Sequence, residues 1–131
     1  MTYILDTNIC IYIINTKPAN VLDRFRQEEI GNIAISSVTA AELSYGVAKS
    51  ESERNRPALE KFFVPLDILP LGEEVIWKYG YIRAMLEKKG KVIGALDMLI
   101  AAHVLSLDAV LVTNNVKEFS RVPDLRLENW T

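Results

Sequence analysis

The stretch Tyr3-Ile4-Leu5-Asp6-Thr7-Asn8-Ile9-Cys10-Ile11-Tyr12-Ile13-Ile14 joins a short apolar triplet to a helix-like apolar run through a single acidic residue. Tyr3-Ile4-Leu5 has the length and composition of a buried strand, and Asp6 sits where strand gives way to helix. The same order recurs outward along the chain. Ile33-Ala34-Ile35, Ile68-Leu69 and Val110-Leu111-Val112 read as further buried strands, with helical spacing in the longer segments between them. The clearest helix runs from Glu73 to Lys89, where Val75, Tyr79, Ile82 and Leu86 repeat at steps of three or four and Gly90 supplies the stop. Another spans about Asp97 to Leu107, a third lies at about Ala58 to Phe63 between Pro57 and Pro65, and Gly31 and Asn32 mark a turn. Strands alternating with helices predict an α/β fold with right-handed crossovers, a mostly parallel central sheet and helices on both faces. There is no repeat, linker or low-complexity stretch, so a single domain over residues 1–131 is expected.

Three acids occupy equivalent places in this order. Asp6 follows the first strand, Glu42 follows the second at the start of a helix, and Asp97 opens the later helix through Ala101 and Val104. In open parallel sheets ligands bind at the carboxyl edge of the strands, and this topology carries all three acids toward that edge. Taken singly each has a structural reading as well. Asp6 and Asp97 suit helix N-caps, and Thr39-Ala40-Ala41-Glu42 matches a capping box.

Carboxylates gathered at one edge repel and raise one another's pKa unless a divalent cation neutralises them. Hard oxygen donors, a lone cysteine and one histidine favour Mg²⁺ or Mn²⁺ over zinc. His103 lies six positions beyond Asp97, about 240° round a helix, and is expected to pack rather than to ligate. No Gly-x-Ser-x-Gly element, phosphate-cradling glycine loop or paired-cysteine motif is present, which argues against nucleophilic side-chain catalysis and nucleoside-triphosphate chemistry.

Half of the residues are apolar, enough to close one core at this length, and the net charge is −2. Contact with nucleic acid must then rely on local patches or bound cations, and basic clusters occur at Arg24 and Arg26, at Arg54 and Arg56, and at Lys88, Lys89 and Lys91. No run approaches the ~20 apolar residues that span a bilayer, and no secretion signal opens the chain, so no membrane contact is expected. Cys10, buried in its apolar run with no partner cysteine, fits a reducing, cytoplasmic setting.

Several motifs match a known family in order and spacing. They are Leu5-Asp6-Thr7-Asn8, Ser37-Val38-Thr39-Ala40-Ala41-Glu42-Leu43, Asp97-Met98-Leu99-Ile100-Ala101-Ala102-His103, Leu111-Val112-Thr113-Asn114-Asn115, Glu118-Phe119 and the closing Leu127-Glu128-Asn129-Trp130. On these the chain resembles the PIN-domain ribonucleases almost end to end, and most closely the VapC toxins of bacterial toxin–antitoxin pairs, in the branch that cuts initiator tRNA in the anticodon stem-loop. The resemblance implies a metal-dependent endoribonuclease acting on tRNA, with Asp6, Glu42 and Asp97 as the acidic metal-binding set. It also implies a VapB-type antitoxin partner and a homodimer. Many members of the family carry a fourth acid after the last core strand, where this chain has Asn114 and Asn115, with Glu118 further along. Asn115 is expected in the catalytic set with Asp6, Glu42 and Asp97, since an amide oxygen binds a cation or water; Glu118 is the alternative if the turn brings it inward, and otherwise reads as a helix-start charge beside Phe119. Thr7, Asn8 and Thr113 belong to the same stretches and are expected to orient the carboxylates.

Two other classes fit parts of the pattern. A PIN fold with an incomplete acidic set would hold RNA or protein without cutting, and Asn115 is the argument for it. A phosphotransfer or phosphatase domain using Asp6 as nucleophile fits less well, because Asp6-Thr7-Asn8 lacks the second aspartate of the Asp-x-Asp phosphatases.

Overall fold

Five short strands, β1 (Tyr3–Leu5), β2 (Ile33–Ser36), β3 (Asp67–Leu69), β4 (Val110–Val112) and β5 (Arg126–Glu128), form a parallel sheet in the order β3-β2-β1-β4-β5. The computed structural model describes residues 1–131. The chain builds outward from β1 to β3 on one side and then crosses back to add β4 and β5 on the other. β1 thus lies between β2 and β4, at the point where the direction of winding reverses. The helices are α1 (Thr7–Asn15), α2 (Ala19–Gln27), α3 (Ser37–Ser50), α4 (Asn55–Phe63), α5 (Glu73–Lys88), α6 (Ala95–Ser106) and α7 (Val116–Phe119). None is long and apolar enough to cross a membrane.

Alternation along the central strands divides the interior in two. Ile4, Ala34 and Leu111 point to the face covered by α5 and α6, where they meet Val75, Ile82 and Met98. Leu5, Ile35 and Val112 point to the opposite face and pack with Ile9 of α1, Val21 of α2 and Leu59 of α4. Each such Val, Ile, Leu or Met side chain, removed from water, stabilises the fold by roughly 1.5–3 kcal/mol before entropy is counted. Both faces of the sheet are covered by helices, as the strand composition implies.

The expected elements form with small shifts. Asn55, not Ala58, opens α4; Pro57 falls in its first turn, where a missing N–H interrupts no helical hydrogen bond. Gly90 ends the α5 segment in the left-handed region at φ 67°. β5 is the strand that the apolar pattern does not mark. Its Arg-Leu-Glu sequence adds to the sheet edge by backbone pairing with β4. The chain after it is fastened by side chains: Trp130 is buried with its ring centroid 5.6 Å from that of Tyr3, and the Arg24 guanidinium lies 5.0 Å from the Trp130 ring.

Inside α3, Thr39 is fully buried and its hydroxyl has no hydrogen-bond partner. Burying an unpaired hydroxyl opposes folding, whereas valine has the same shape without that cost. Thr39→Val is therefore expected to raise the unfolding free energy by about 1 kcal/mol, read as a higher urea midpoint at unchanged slope.

Candidate metal centre

The carboxyl ends of β1, β2 and β4 lead to Asp6, Glu42 and Glu118, while Asp97 comes from the first turn of α6, which follows α5. The Asp6 amide still donates to the Val112 carbonyl, extending the β1–β4 ladder by one residue, at 3.0 Å. Asp6 then caps α1, its Oδ1 accepting from the Ile9 amide at 2.9 Å. It is buried, and burial is the main force raising its pKa. Hydrogen bonds from the Thr113 hydroxyl and the Ile9 amide pull the other way, Glu42 pushes upward again, and the Asn8 amide adds a smaller lowering. Asn8 therefore acts through its backbone, and its side chain is exposed. Thr113 is fully buried at the end of β4 and touches both sides of the site, because its Oγ1 also accepts from the Asn115 amide at 2.9 Å.

Glu42 does not open its helix, and the capping box does not form. Strand β2 runs to Ser36, whose hydroxyl caps α3 by accepting from Val38 N–H at 3.1 Å, so the helix begins at Ser37 and Glu42 lies in its second turn. From there the carboxylate reaches across to α1, where Thr7 Oγ1 donates to Glu42 Oε1 at 2.8 Å. Asp97 is likewise not the cap of α6. Gly94 holds that position, and Asp97 stands in the first helical turn, where the helix dipole favours a negative charge. A Cβ on Gly94 would lie 3.4 Å from Asp97 Oδ2, so the glycine leaves room for that carboxylate.

Burial pushes the Asp97 carboxyl up to about 6, with Glu42, Asp6 and Glu118 adding to the rise in that order. Four carboxylates from four helical segments therefore act on one another at one edge of the sheet, although no three of them close on a single coordination point. Glu118 belongs to this group by position. Asn115, at the N-terminus of α7, donates its side-chain amide to Glu118 Oε2 at 3.0 Å.

His103 faces away from the acids, as its helical phase requires. It is buried, and its Nδ1 lies 2.8 Å from Ser36 Oγ. Burial lowers the His103 pKa and keeps the ring neutral. Ser36 was invisible as a functional position in the sequence, yet it sets where α3 begins and hence where Glu42 stands. Cys10 is fully buried with its thiol pKa pushed up by burial and by Asp6, so it stays protonated and inert.

The donor set fits a hard divalent cation. It offers carboxylate oxygens and no thiolate or imidazole, and burial and mutual repulsion disfavour the charge the acids carry together. Beside Glu42, a cleft of about 280 Å³ opens between α1, α3 and α4, lined by Ile11, Ile14, Leu43 and Leu59 among others.

A crossover-wound parallel sheet with an acidic switch-point edge defines the class, and residues 3–125 match the PIN domain family. Across 132 aligned residues the chain is 47% identical to Ribonuclease VapC2 of Rickettsia felis, covering 99% of this chain and 98% of that protein. It is 43% identical to the tRNA(fMet)-specific endonuclease VapC of Shigella flexneri, covering 100% and 99%. The crystal structure of VapBC2 from Rickettsia felis bound to a DNA fragment from their promoter superposes with a TM-score of 0.93 at 46% identity over the full length of both chains. The chain belongs to the PIN-domain family, among its VapC ribonucleases. PIN-domain ribonucleases are in general divalent-metal dependent.

Proposed function

We propose that this chain is the endoribonuclease toxin of a toxin–antitoxin pair, that it hydrolyses tRNA with initiator tRNA as the target, and that Mg²⁺, replaceable by Mn²⁺, is held by Asp6, Glu42 and Asp97. One observation carries the reading: acids far apart in sequence share one sheet edge, where burial and mutual repulsion raise Asp97 to about 6. When bound, the ion supplies a water of lowered pKa and offsets charge building on the phosphate.

The protein's own groups do the holding. Thr113 and the Ile9 amide fix Asp6, and Thr7 fixes Glu42. Glu118 takes the place of the fourth acid, and Asn115 is a positioning residue that acts through it. On this reading the asparagine replaces an acid while Glu118 supplies the fourth carboxylate, which favours a cutting enzyme over a non-cutting module. A buried neutral His103 takes no part in proton transfer.

The tRNA target is supported by the Shigella flexneri relative, and the antitoxin by the VapBC complexes among the structural neighbours. The apolar cleft beside Glu42 suits an apolar segment of a VapB-type partner. A homodimer would cover Ile76, Trp77 and Tyr81, which stand exposed on α5. One domain over residues 1–131 working in the cytoplasm completes the reading.

The test is incubation of purified protein with total bacterial RNA in Mg²⁺ or in chelator, followed by mapping of cut ends. Discrete fragments that vanish on chelation and return with added Mg²⁺ are expected. Intact RNA, from protein free of inhibitor and shown to bind Mg²⁺, would reject the proposal.

A further inference from the structure

The cations of this chain fall into two groups. Arg24, Arg56, Arg83 and Arg126 are each ion-paired with a carboxylate. The other eleven of the fifteen Lys and Arg side chains are in no ion pair, among them Lys88, Lys89, Lys91, Lys117 and Arg121. These five lie on two segments that lead to the acids. Lys88 and Lys89 close α5, and Lys91 stands in the connection to α6, whose first turn carries Asp97. Lys117 lies within α7 beside Glu118, and Arg121 follows two residues after that helix.

The two segments are fastened together. Arg121 Nη1 donates to the Val92 carbonyl at 3.2 Å, bridging the end of α7 to the connection before Asp97. The connection has a fixed shape: the Gly90 amide donates to Glu87 O at 3.1 Å and the Lys91 amide to Leu86 O at 2.9 Å. The four lysines are exposed. Unpaired cations thus stand on the two joined segments that carry Asp97 and Glu118.

An acidic site repels the polyanion it must cut, and unpaired cations on the flanking segments offset that repulsion. We propose that Lys89, Lys91, Lys117 and Arg121 form the track on which the phosphates of single-stranded RNA lie as the strand crosses the acidic edge. The inference rests on the ribonuclease reading of the acids and adds the surface that receives the substrate. RNA is favoured over an acidic protein segment because the segments that bear these cations also bear Asp97 and Glu118, acids of the ribonuclease reading.

The experiment uses the full chain carrying Asp6→Asn, which prevents cutting during titration. Binding of a fluorescein-labelled anticodon stem-loop RNA is followed by anisotropy across a range of salt. Each lost phosphate contact reduces the slope of log affinity against log salt by about 0.7. Lys89→Gln with Lys91→Gln is expected to weaken binding roughly tenfold at about 0.1 M salt and to lower the slope by about 1.4. Lys117→Gln should remove about half as much slope. Arg121→Lys, which keeps the charge but not the planar fork, reports separately on the bridge to Val92. Lys61→Gln, an unpaired cation on α4, is the control. In the active background KM should rise with little change in kcat. Track variants that bind like Lys61→Gln overturn the track and leave the nuclease reading standing if the unsubstituted protein cuts RNA. If that protein neither cuts nor binds RNA, both fall.

Discussion

Asp6→Asn is expected to yield a folded protein whose RNA cleavage falls by about 10³-fold or more, a loss on the scale of removing a principal electrostatic group from an active site. The substitution separates the two roles that Asp6 combines. As an N-cap it accepts from the Ile9 amide at 2.9 Å, and an asparagine oxygen caps equally well. As a ligand it supplies a full negative charge that asparagine lacks. If Asp6 were only a cap, Asp6→Asn and Asp6→Ser would both retain activity, because all three residue types cap helices. Asp6→Ala would then be the damaging change, costing about 1 kcal/mol of stability through the lost cap. The expected pattern is the reverse: Asp6→Asn and Asp6→Ser are both inactive, with Asp6→Asn melting at or above the temperature of the unsubstituted protein because a buried charge has gone. Cleavage assays and thermal melts on the same preparations decide it. Retention of more than a tenth of wild-type activity in Asp6→Asn would remove Asp6 from the metal set.

What could be read from the sequence depended on which force shaped each element. Burial is written plainly: Ile4, Leu5, Ile35, Leu111 and Val112 all sit in the core, and the runs containing them locate three of the five strands, whereas β3, expected as a buried strand from Ile68-Leu69, lies at the sheet edge with Ile68 exposed. β5 was not legible because nothing in Arg126-Leu127-Glu128 is buried enough to leave an apolar signature. Its place is set by backbone pairing with β4 and by Trp130 anchoring the end.

The acids were legible by order, since each follows a strand or a loop and stands near the start of a helix, but their exact posts were not. The capping box around Thr39 and Glu42 competed with Ser36, and Ser36 won because β2 extends through it and turns directly into the helix. Thr39 was left inside the fold with its hydroxyl unpaired. At Asp97 the competing cap was Gly94, which puts the aspartate one turn deeper. Glu118 reads in the sequence as a helix-start charge, and only its effect on Asp97 links it to the other acids. Hydrogen bonds between residues distant in sequence, such as Thr7 to Glu42 and His103 to Ser36, have no periodic signature at all.

Asp97→Asn should abolish cleavage to the same degree while making the metal-free protein more stable near pH 7.5. The Asp97 carboxyl in the folded chain titrates at about 6, above the 3.8 of an unperturbed aspartate, owing first to burial and then to Glu42, Asp6 and Glu118. An acid whose folded pKa is raised binds its proton more tightly when folded. Its favourable contribution is fully present below about pH 4 and is lost as pH rises through about 6. At pH 7.5 the metal-free protein therefore carries an ionised Asp97 that opposes folding. The shift corresponds to about 3 kcal/mol at face value, and about 1 kcal/mol once solvent screening of this half-buried group is allowed for. Asparagine removes that opposition at every pH. In chelator, the variant should melt about 4 °C above the parent at pH 7.5, with the gap closing toward pH 5. Added Mg²⁺ should raise the parent's melting temperature and leave the variant's nearly unmoved, because a cation that binds only the folded state stabilises it by mass action. A parent that melts higher than Asp97→Asn in chelator at pH 7.5 would mean that the carboxylate is held there by favourable partners, and that the strain at this edge, which links its acids to a cation, is absent.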